Sequence, residues 1–213
     1  MTGAERRARL AGARLYLCAA IRGDLAAFLD AVLGAGVDIV QLRDKHAGAA
    51  EQLRAAATFR RAADAHGALF ILNDRADLAA AAGADGVHLG QDDLPPEHAR
   101  ALLGPEAIIG RSTHAPAELR RARDEPVDYL GVGPVEATPT KPGRTGVGLG
   151  YVRLAAAEAT VPFFLTGGMN DETIPTAAEA GARGFVVVRA ITEAQDPSAA
   201  VRAIRAAIDR AIG

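Results

Sequence analysis

Several short stretches of the chain collect side chains that handle phosphate and divalent cations. The first is Gln41-Leu42-Arg43-Asp44-Lys45. In an extended segment alternate side chains share a face, so Gln41, Arg43 and Lys45 point the same way. Two cations and an amide on one face suit a polyanion such as pyrophosphate; a solvated strand end with a surface ion pair fits the same pattern. Next come Asn73-Asp74 and Gly90-Gln91-Asp92-Asp93. Magnesium is commonly held by one or two carboxylates, with water and substrate phosphates completing its octahedron. Asp74 and Asp93 beside a cationic row therefore read as a Mg²⁺–pyrophosphate site. The blander alternative is that acids here cap the following helices, a role that suits Asp92 better than Asp93.

Two further stretches are rich in glycine. Gly131-Val132-Gly133 leads into Thr138-Pro139-Thr140-Lys141-Pro142-Gly143. Its hydroxyls and lysine can bind phosphate oxygens, and its Pro and Gly content fits a lid as well as an ordinary turn-rich connection. Gly167-Gly168-Met169-Asn170 precedes a predicted helix. Glycines let backbone approach a ligand, and helix-start N–H groups favour phosphate. Arg189 adds a cation near the last strand. The five histidines form no metal-ligand spacing. His88 reads as a satisfied interior residue and His114 as one that faces the site without an assigned role. Cys18, in an apolar strand, reads as core. Ser112 and His114 lack the G-x-S-x-G elbow of a nucleophile.

These stretches lie at the ends of short apolar runs. Strands are predicted at 15–18, 39–43, 68–74, 86–90, 108–112, 129–133, 163–167 and 184–189. They are near-continuously apolar, as parallel strands covered on both faces are. Between them the sequence reads as helix. After Asp24, a predicted N-cap, Leu25, Phe28, Leu29, Val32 and Leu33 make one stripe; Val201, Ile204, Ile208 and Ile212 make another. Weaker helices fall at 51–65, 76–82 and 116–122. Asn170 or Asp171 caps a helix to about Ala180 provided that Pro175 lies in its first turn. Eight β-then-α units predict an α/β fold, a single-domain (β/α)8 barrel over residues 1–213, with a core at about 15–211 and an N-terminal extension at 1–13. A doubly wound open sheet competes, but it concentrates ligand residues near one switch point, whereas here they follow strand after strand.

Composition excludes several classes. With 213 residues, 49% of them apolar and 23% charged, the chain can build a sizeable core. Lys+Arg 24 against Asp+Glu 26 argues against nucleic-acid binding. One cysteine forms no internal disulfide and no Cys-based zinc site. No apolar window has the length of a membrane span or signal peptide, so a cytoplasmic enzyme acting on small molecules is expected, with a homo-oligomer compatible with the sequence.

Taken in order, QLRDK, ILNDRADLAAAAGADGVHLGQDDLP, IIGRSTH, GVGPVEATPTKPG, TGGMN and GFVVVRAITEAQDP resemble the thiamine-phosphate synthase family from about Leu15 to Pro197. The resemblance implies a (β/α)8 barrel and a transferase of thiamine biosynthesis. It would join a hydroxymethylpyrimidine pyrophosphate to a thiazole phosphate, releasing pyrophosphate. It implies that Gln41, Leu42, Arg43, Asp44 and Lys45 hold the pyrimidine substrate, with Asn73, Ser112 and Lys141. It also implies that Asp74 and Asp93 hold Mg²⁺, and that Thr138, Pro139, Thr140, Gly168, Val188 and Arg189 hold the thiazole phosphate. Arg43, Lys45 and Lys141 would be the catalytic cations. Three positions depart from the family pattern. Arg189 stands where serine is familiar, Thr166 and Met169 where isoleucine is usual, and Glu136 where an aromatic or apolar residue is common. A thiazole tautomerase on the same barrel would not need the magnesium and pyrophosphate residues. Other phosphate-binding barrels would not be expected to pair Asp74 with Asp93. A catalytically silent phosphate binder would not need Lys141 and both acids.

Overall fold

Strands whose residues are apolar on both faces must be covered on both. The chain does this by closing eight parallel strands into a barrel with helices outside. The structure is a computed structural model and describes residues 1–137 and 145–213. The strands are β1 (Leu15–Ala19), β2 (Ile39–Leu42), β3 (Leu69–Asn73), β4 (Gly86–Leu89), β5 (Ile108–Thr113), β6 (Tyr129–Val132), β7 (Phe163–Leu165) and β8 (Gly184–Val187). Each pairs with its sequence neighbours, and β1 closes on β8 with Leu15 opposite Phe185. This is the predicted barrel rather than the open sheet. Every strand lies within one or two residues of its predicted ends. Arg189 does not close β8, which stops at Val187; it opens a short helix.

The helices are α1 (Gly3–Gly12), α2 (Leu25–Gly34), α3 (Ala49–His66), α4 (Ala76–Ala81), α5 (Pro96–Leu103), α6 (Pro116–Arg121), α7 (Gly148–Glu158), α8 (Ile174–Glu179), α9 (Arg189–Thr192) and α10 (Pro197–Ile212). The predicted stripes face inward: Phe28, Leu29 and Val32 of α2 and Val201, Ile204 and Ile208 of α10 are buried in the layer between helices and sheet. Capping differs from expectation in three places. Asp24 precedes α2 without a side-chain cap, because Arg22 takes its carboxylate. Asp92 is exposed and α5 starts at Pro96, so neither it nor Asp93 caps that helix. Asn170 accepts the amides of Glu172 and Thr173, bracing the turn just before α8 rather than its first residue, and Pro175 does fall in the first turn.

Residues 1–13, read above as an extension, form a helix with a structural task. Thr2 and Glu5 make a capping box, and Leu10 buries its side chain in the same cluster as Tyr16, Ile39, Leu69, Ile71 and Ile108. That cluster is the barrel interior, so α1 plugs its N-terminal end. Three aspartates just before β2, β4 and β6 brace that end. Asp38 accepts the amide of Leu15, Asp85 that of Phe70 and Asp128 that of Ile109, each at 2.8–2.9 Å. Arg205 pairs with Asp38, Arg6 and Arg60 with Asp85, and Arg7 and Arg100 with Asp128. β1 is thus tied to β2, β3 to β4 and β5 to β6 by a carboxylate whose charge is met by arginine.

Candidate active site

The C-terminal ends of the strands open onto a cavity of about 940 Å³. Its lining follows the two-residue period of a strand. Gln41 and Arg43 continue one face from β2, His88 and Gly90 from β4, Ser112 and His114 from β5, and Val186 and Val188 from β8. Lys45, Asn73, Asp74 and Asp93 complete one side; Thr166, Gly167, Gly168 and Arg189 complete the other. The predicted residues therefore converge. Leu42 is the exception: the same alternation turns its side chain outward, where it is buried in the layer beneath the helices. Asp44 lines the rim, and its carboxylate accepts the amides of His46 and Ala47, so it shapes the loop that presents Lys45. Thr138, Pro139, Thr140 and Lys141, with the lid reading of their loop, lie outside the described residues.

Asp74 has φ 62°, the left-handed region that non-glycine residues seldom occupy. That turn brings its carboxyl against the Asp93 carboxyl. Burial and the Asp93 carboxyl raise the Asp74 pKa above the ordinary carboxylate value, and Lys45, its Nζ 3.2 Å from Asp74 Oδ2, opposes the shift. Asp93 is held in turn by the Gly90 amide, which donates to its Oδ2 at 2.6 Å. The two carboxylates pressed together offer oxygen donors of the kind a hard divalent cation takes, and Lys45 now meets the charge that such a cation would take over. Among the described residues no group of three or more His, Cys, Asp or Glu side chains could hold a metal unaided. A pair fits Mg²⁺, which keeps several waters and leans on substrate phosphates.

The floor of the cavity is a hydrogen-bonded chain. Gln41 Nε2 donates to the Tyr16 hydroxyl at 2.7 Å, which lies 2.9 Å from that of Tyr129. His88 links the Tyr129 hydroxyl at 3.0 Å to Ser112 Oγ at 2.9 Å. Burial pushes both phenols well up, so they stay protonated donors. His88 is the satisfied interior residue expected, yet it also faces the cavity. Cys18, expected as core, packs against the barrel-interior cluster, and it also lines the cavity, where its Sγ donates to Gln41 Oε1 at 3.3 Å. Sequence reasoning passed over Tyr16 and Tyr129. Their phase was the available signal: each lies two residues before another cavity residue, Cys18 and Gly131.

On the far side, glycines set the shape. Gly133 and Gly167 have φ 128° and 96°, and a Cβ on Gly133 would stand 2.5 Å from the Thr166 carbonyl. The loops after β6 and β7 thus interlock through bare backbone. Glu136 is exposed, but its Oε2 would lie 2.7 Å from a Cβ on Gly168, so this carboxylate leans over the glycine turn. Arg189 lines the cavity close to that turn and brings a positive charge where Glu136 brings a negative one.

Comparison with known proteins decides between the chemistries such a barrel can host. Residues 15–191 match the thiamine monophosphate synthase family. The chain belongs to that family. Thiamine-phosphate synthase of Thermobifida fusca is 56% identical over 205 residues, covering 93% of this chain and 94% of that one. The synthase of Mycobacterium tuberculosis (strain ATCC 25177 / H37Ra) is 50% identical over 217 residues, covering 95% and 98%. Among solved structures, thiamine phosphate pyrophosphorylase from Pyrococcus furiosus superposes with TM-score 0.87 at 30% identity over 98% of this chain and all of that one. A tryptophan synthase alpha chain from Legionella pneumophila, at 17% identity and TM-score 0.73, shares the barrel alone. Members of this family are transferases of thiamine biosynthesis, and this chain is one of them.

Proposed function

We propose that the cavity couples a hydroxymethylpyrimidine pyrophosphate to a thiazole phosphate, giving thiamine phosphate and pyrophosphate in a Mg²⁺-assisted dissociative substitution. The observation that carries this reading is the division of one cavity into two anion-receiving sides. Arg43, Lys45 and the Asp74–Asp93 pair lie on the β2–β4 side, and the Gly167-Gly168 turn with Arg189 lies on the β7–β8 side. Between them Gln41, Asn73 and Ser112 offer hydrogen bonds to a flat heterocycle.

Arg43 and Lys45 hold the pyrophosphate and are aided by Lys141. As the methylene C–O bond breaks, its electron pair leaves with pyrophosphate, and these cations stabilise the charge that develops there. Asp74 and Asp93 would hold Mg²⁺, which supplies further charge neutralisation on the leaving group when bound. The electron-rich aminopyrimidine carries positive charge at the methylene, held against Gln41, Asn73 and Ser112. Thr138, Pro139, Thr140 and the backbone at Gly168, Val188 and Arg189 hold the thiazole phosphate, so the ring nitrogen faces that carbon. Its lone pair forms the new C–N bond, and no covalent enzyme intermediate is needed. Holding both substrates in one cavity removes the entropy cost of a bimolecular encounter. Leu42, buried outward, contributes through its backbone, and Asp44 through the loop that it braces. The proposed setting is cytoplasmic; no helix among the described residues is long and apolar enough to cross a membrane.

The test is a coupling assay with both substrates and Mg²⁺, an EDTA control, and thiamine phosphate detected as fluorescent thiochrome. Metal-dependent product supports the reading. Its absence from folded protein overturns it in favour of a tautomerase or a silent binder. Lys141→Ala or Asp93→Ala should greatly reduce turnover and leave the fold intact.

A further inference from the structure

Arg111 and Glu125 form an ion pair on the helix-facing side of β5, outside the cavity. Their side chains are only 7% and 10% exposed, and Arg111 Nε stands 3.4 Å from Glu125 Oε2. Neither of those two atoms has a hydrogen-bond partner among the described residues. Taking two charges out of water for one long contact is a poor source of stability, since an apolar pair of similar volume commonly does as well or better. The pair therefore needs another explanation, and its remaining contacts supply one.

Arg111 Nη1 donates to the Gly90 carbonyl at 2.6 Å. The amide of the same Gly90 donates to Asp93 Oδ2, also at 2.6 Å. The Gly90 residue is thus fixed at its carbonyl by Arg111, and through its amide it aims the Asp93 carboxylate. A second leg runs beside the first. Arg121, four residues before Glu125, has its Nε 3.6 Å from Glu125 Oε1 and donates to Gln91 Oε1. Gln91 Nε2 in turn donates to the Ser112 carbonyl at 2.5 Å. Glu125, in the connection from α6 to β6, thereby orients two arginines that grip the 90–93 turn against β5.

We propose that Arg111, Glu125, Arg121 and Gln91 are positioning residues. They hold the turn that aims Asp93 and so set the affinity of the site for a divalent cation. The proposal rests on the reading that Asp93 holds that cation. Partners one step behind a metal ligand commonly govern affinity by about 10- to 100-fold.

The test measures Mn²⁺ binding in the presence of inorganic pyrophosphate, from the electron paramagnetic resonance signal of unbound Mn²⁺, with a thermal melt alongside. Arg111→Met/Glu125→Leu removes both buried charges and leaves only the solvent-exposed Arg121 without its carboxylate. It is expected to melt at or above the wild-type temperature yet bind Mn²⁺ about tenfold or more weakly. Arg121→Ala alters a half-exposed side chain, and it should weaken binding in the same direction. Wild-type affinity in whichever of these variants folds overturns the proposal. Asp93→Asn separates the two levels of inference. If it loses affinity while the network variants keep theirs, the network alone is wrong. If it too keeps wild-type affinity, the cation reading falls and the network with it.

Discussion

The carboxyl of Asp74 faces that of Asp93, which raises its pKa, and Lys45 Nζ stands 3.2 Å from Asp74 Oδ2. Like charges this close are tolerated only with a proton or a cation between them. The arrangement is unfavourable for an empty fold and suits the proposed grip on a hard cation beside a leaving pyrophosphate.

Replacing either acid by its amide should therefore separate activity from stability. Asn tolerates the left-handed backbone at position 74, so Asp74→Asn keeps the turn, and each amide removes repulsion. We expect melting temperatures at or slightly above wild type for Asp74→Asn and Asp93→Asn, with coupling rates lowered about 100-fold or more. Rates within a few-fold of wild type for both would remove the acid pair from the reaction.

At the opposite end of the barrel, Asp85 governs stability rather than chemistry. Burial alone would raise its pKa, but the Phe70 amide, Arg60 and Arg6 outweigh that and hold it below the ordinary value. A depressed carboxylate contributes stability above its unfolded pKa of about 3.9, and that contribution is lost as pH falls through the lower folded value. Urea melts of wild type should thus weaken steeply below about pH 4. Asp85→Asn should cost roughly 2 kcal/mol at neutral pH, less than for a fully buried pair because both arginines are partly exposed, and should flatten the acid limb. An unchanged limb would place the acid sensitivity elsewhere.

Much of this was legible in the sequence, for identifiable reasons. The strands are apolar on both faces, which specifies burial on both sides, and the polar residues just beyond them had to share one end of a parallel barrel. Gln41, Arg43, Asn73, Asp74, Asp93, Ser112 and Arg189 converge for that reason. What stayed hidden depends on partners far apart in sequence. The cavity face of Cys18 was hidden because its sequence neighbours are apolar, and only barrel closure puts alternate residues of β1 in the lumen. Asp38, Asp85 and Asp128 each stand one residue before a strand, and that recurrence in front of β2, β4 and β6 was the available signal. Their charge is met by arginines from other helices, which periodicity within one segment does not reveal. Residues 1–13 read as an extension because only one large apolar side chain among them, Leu10, is buried.

That position gives a direct test of the plug. Leu10 is 2% exposed at the base of the lumen. Leu10→Ala should cost about 2–4 kcal/mol in urea denaturation, from lost transfer energy and the cavity left behind. Affinity for thiazole phosphate should hold, because the cavity opens at the other end of the strands. A cost below about 0.5 kcal/mol, the range of surface changes, would show that α1 merely rests on the barrel.

The cavity floor makes the last prediction. Tyr129 reaches across the lumen to meet both Tyr16 and His88, and the space for its ring exists because residue 110, on the neighbouring strand, has no side chain. A Cβ on Gly110 would stand 2.1 Å from Tyr129 Cζ and 2.4 Å from its hydroxyl oxygen, so the ring would have to move. Overpacking of this kind commonly costs about 1–3 kcal/mol, and here the displaced hydroxyl would also release Tyr16 and His88. Gly110→Ala should therefore lose about 2 kcal/mol or more and, by freeing the His88–Ser112 link, raise the KM for the pyrimidine substrate. Tyr129→Phe is the companion: it keeps the ring and deletes the hydroxyl, so it should share the KM effect with a smaller loss of stability. If Tyr129→Phe leaves KM at the wild-type value, the hydroxyl chain supports only the floor's packing and does not orient substrate through Ser112.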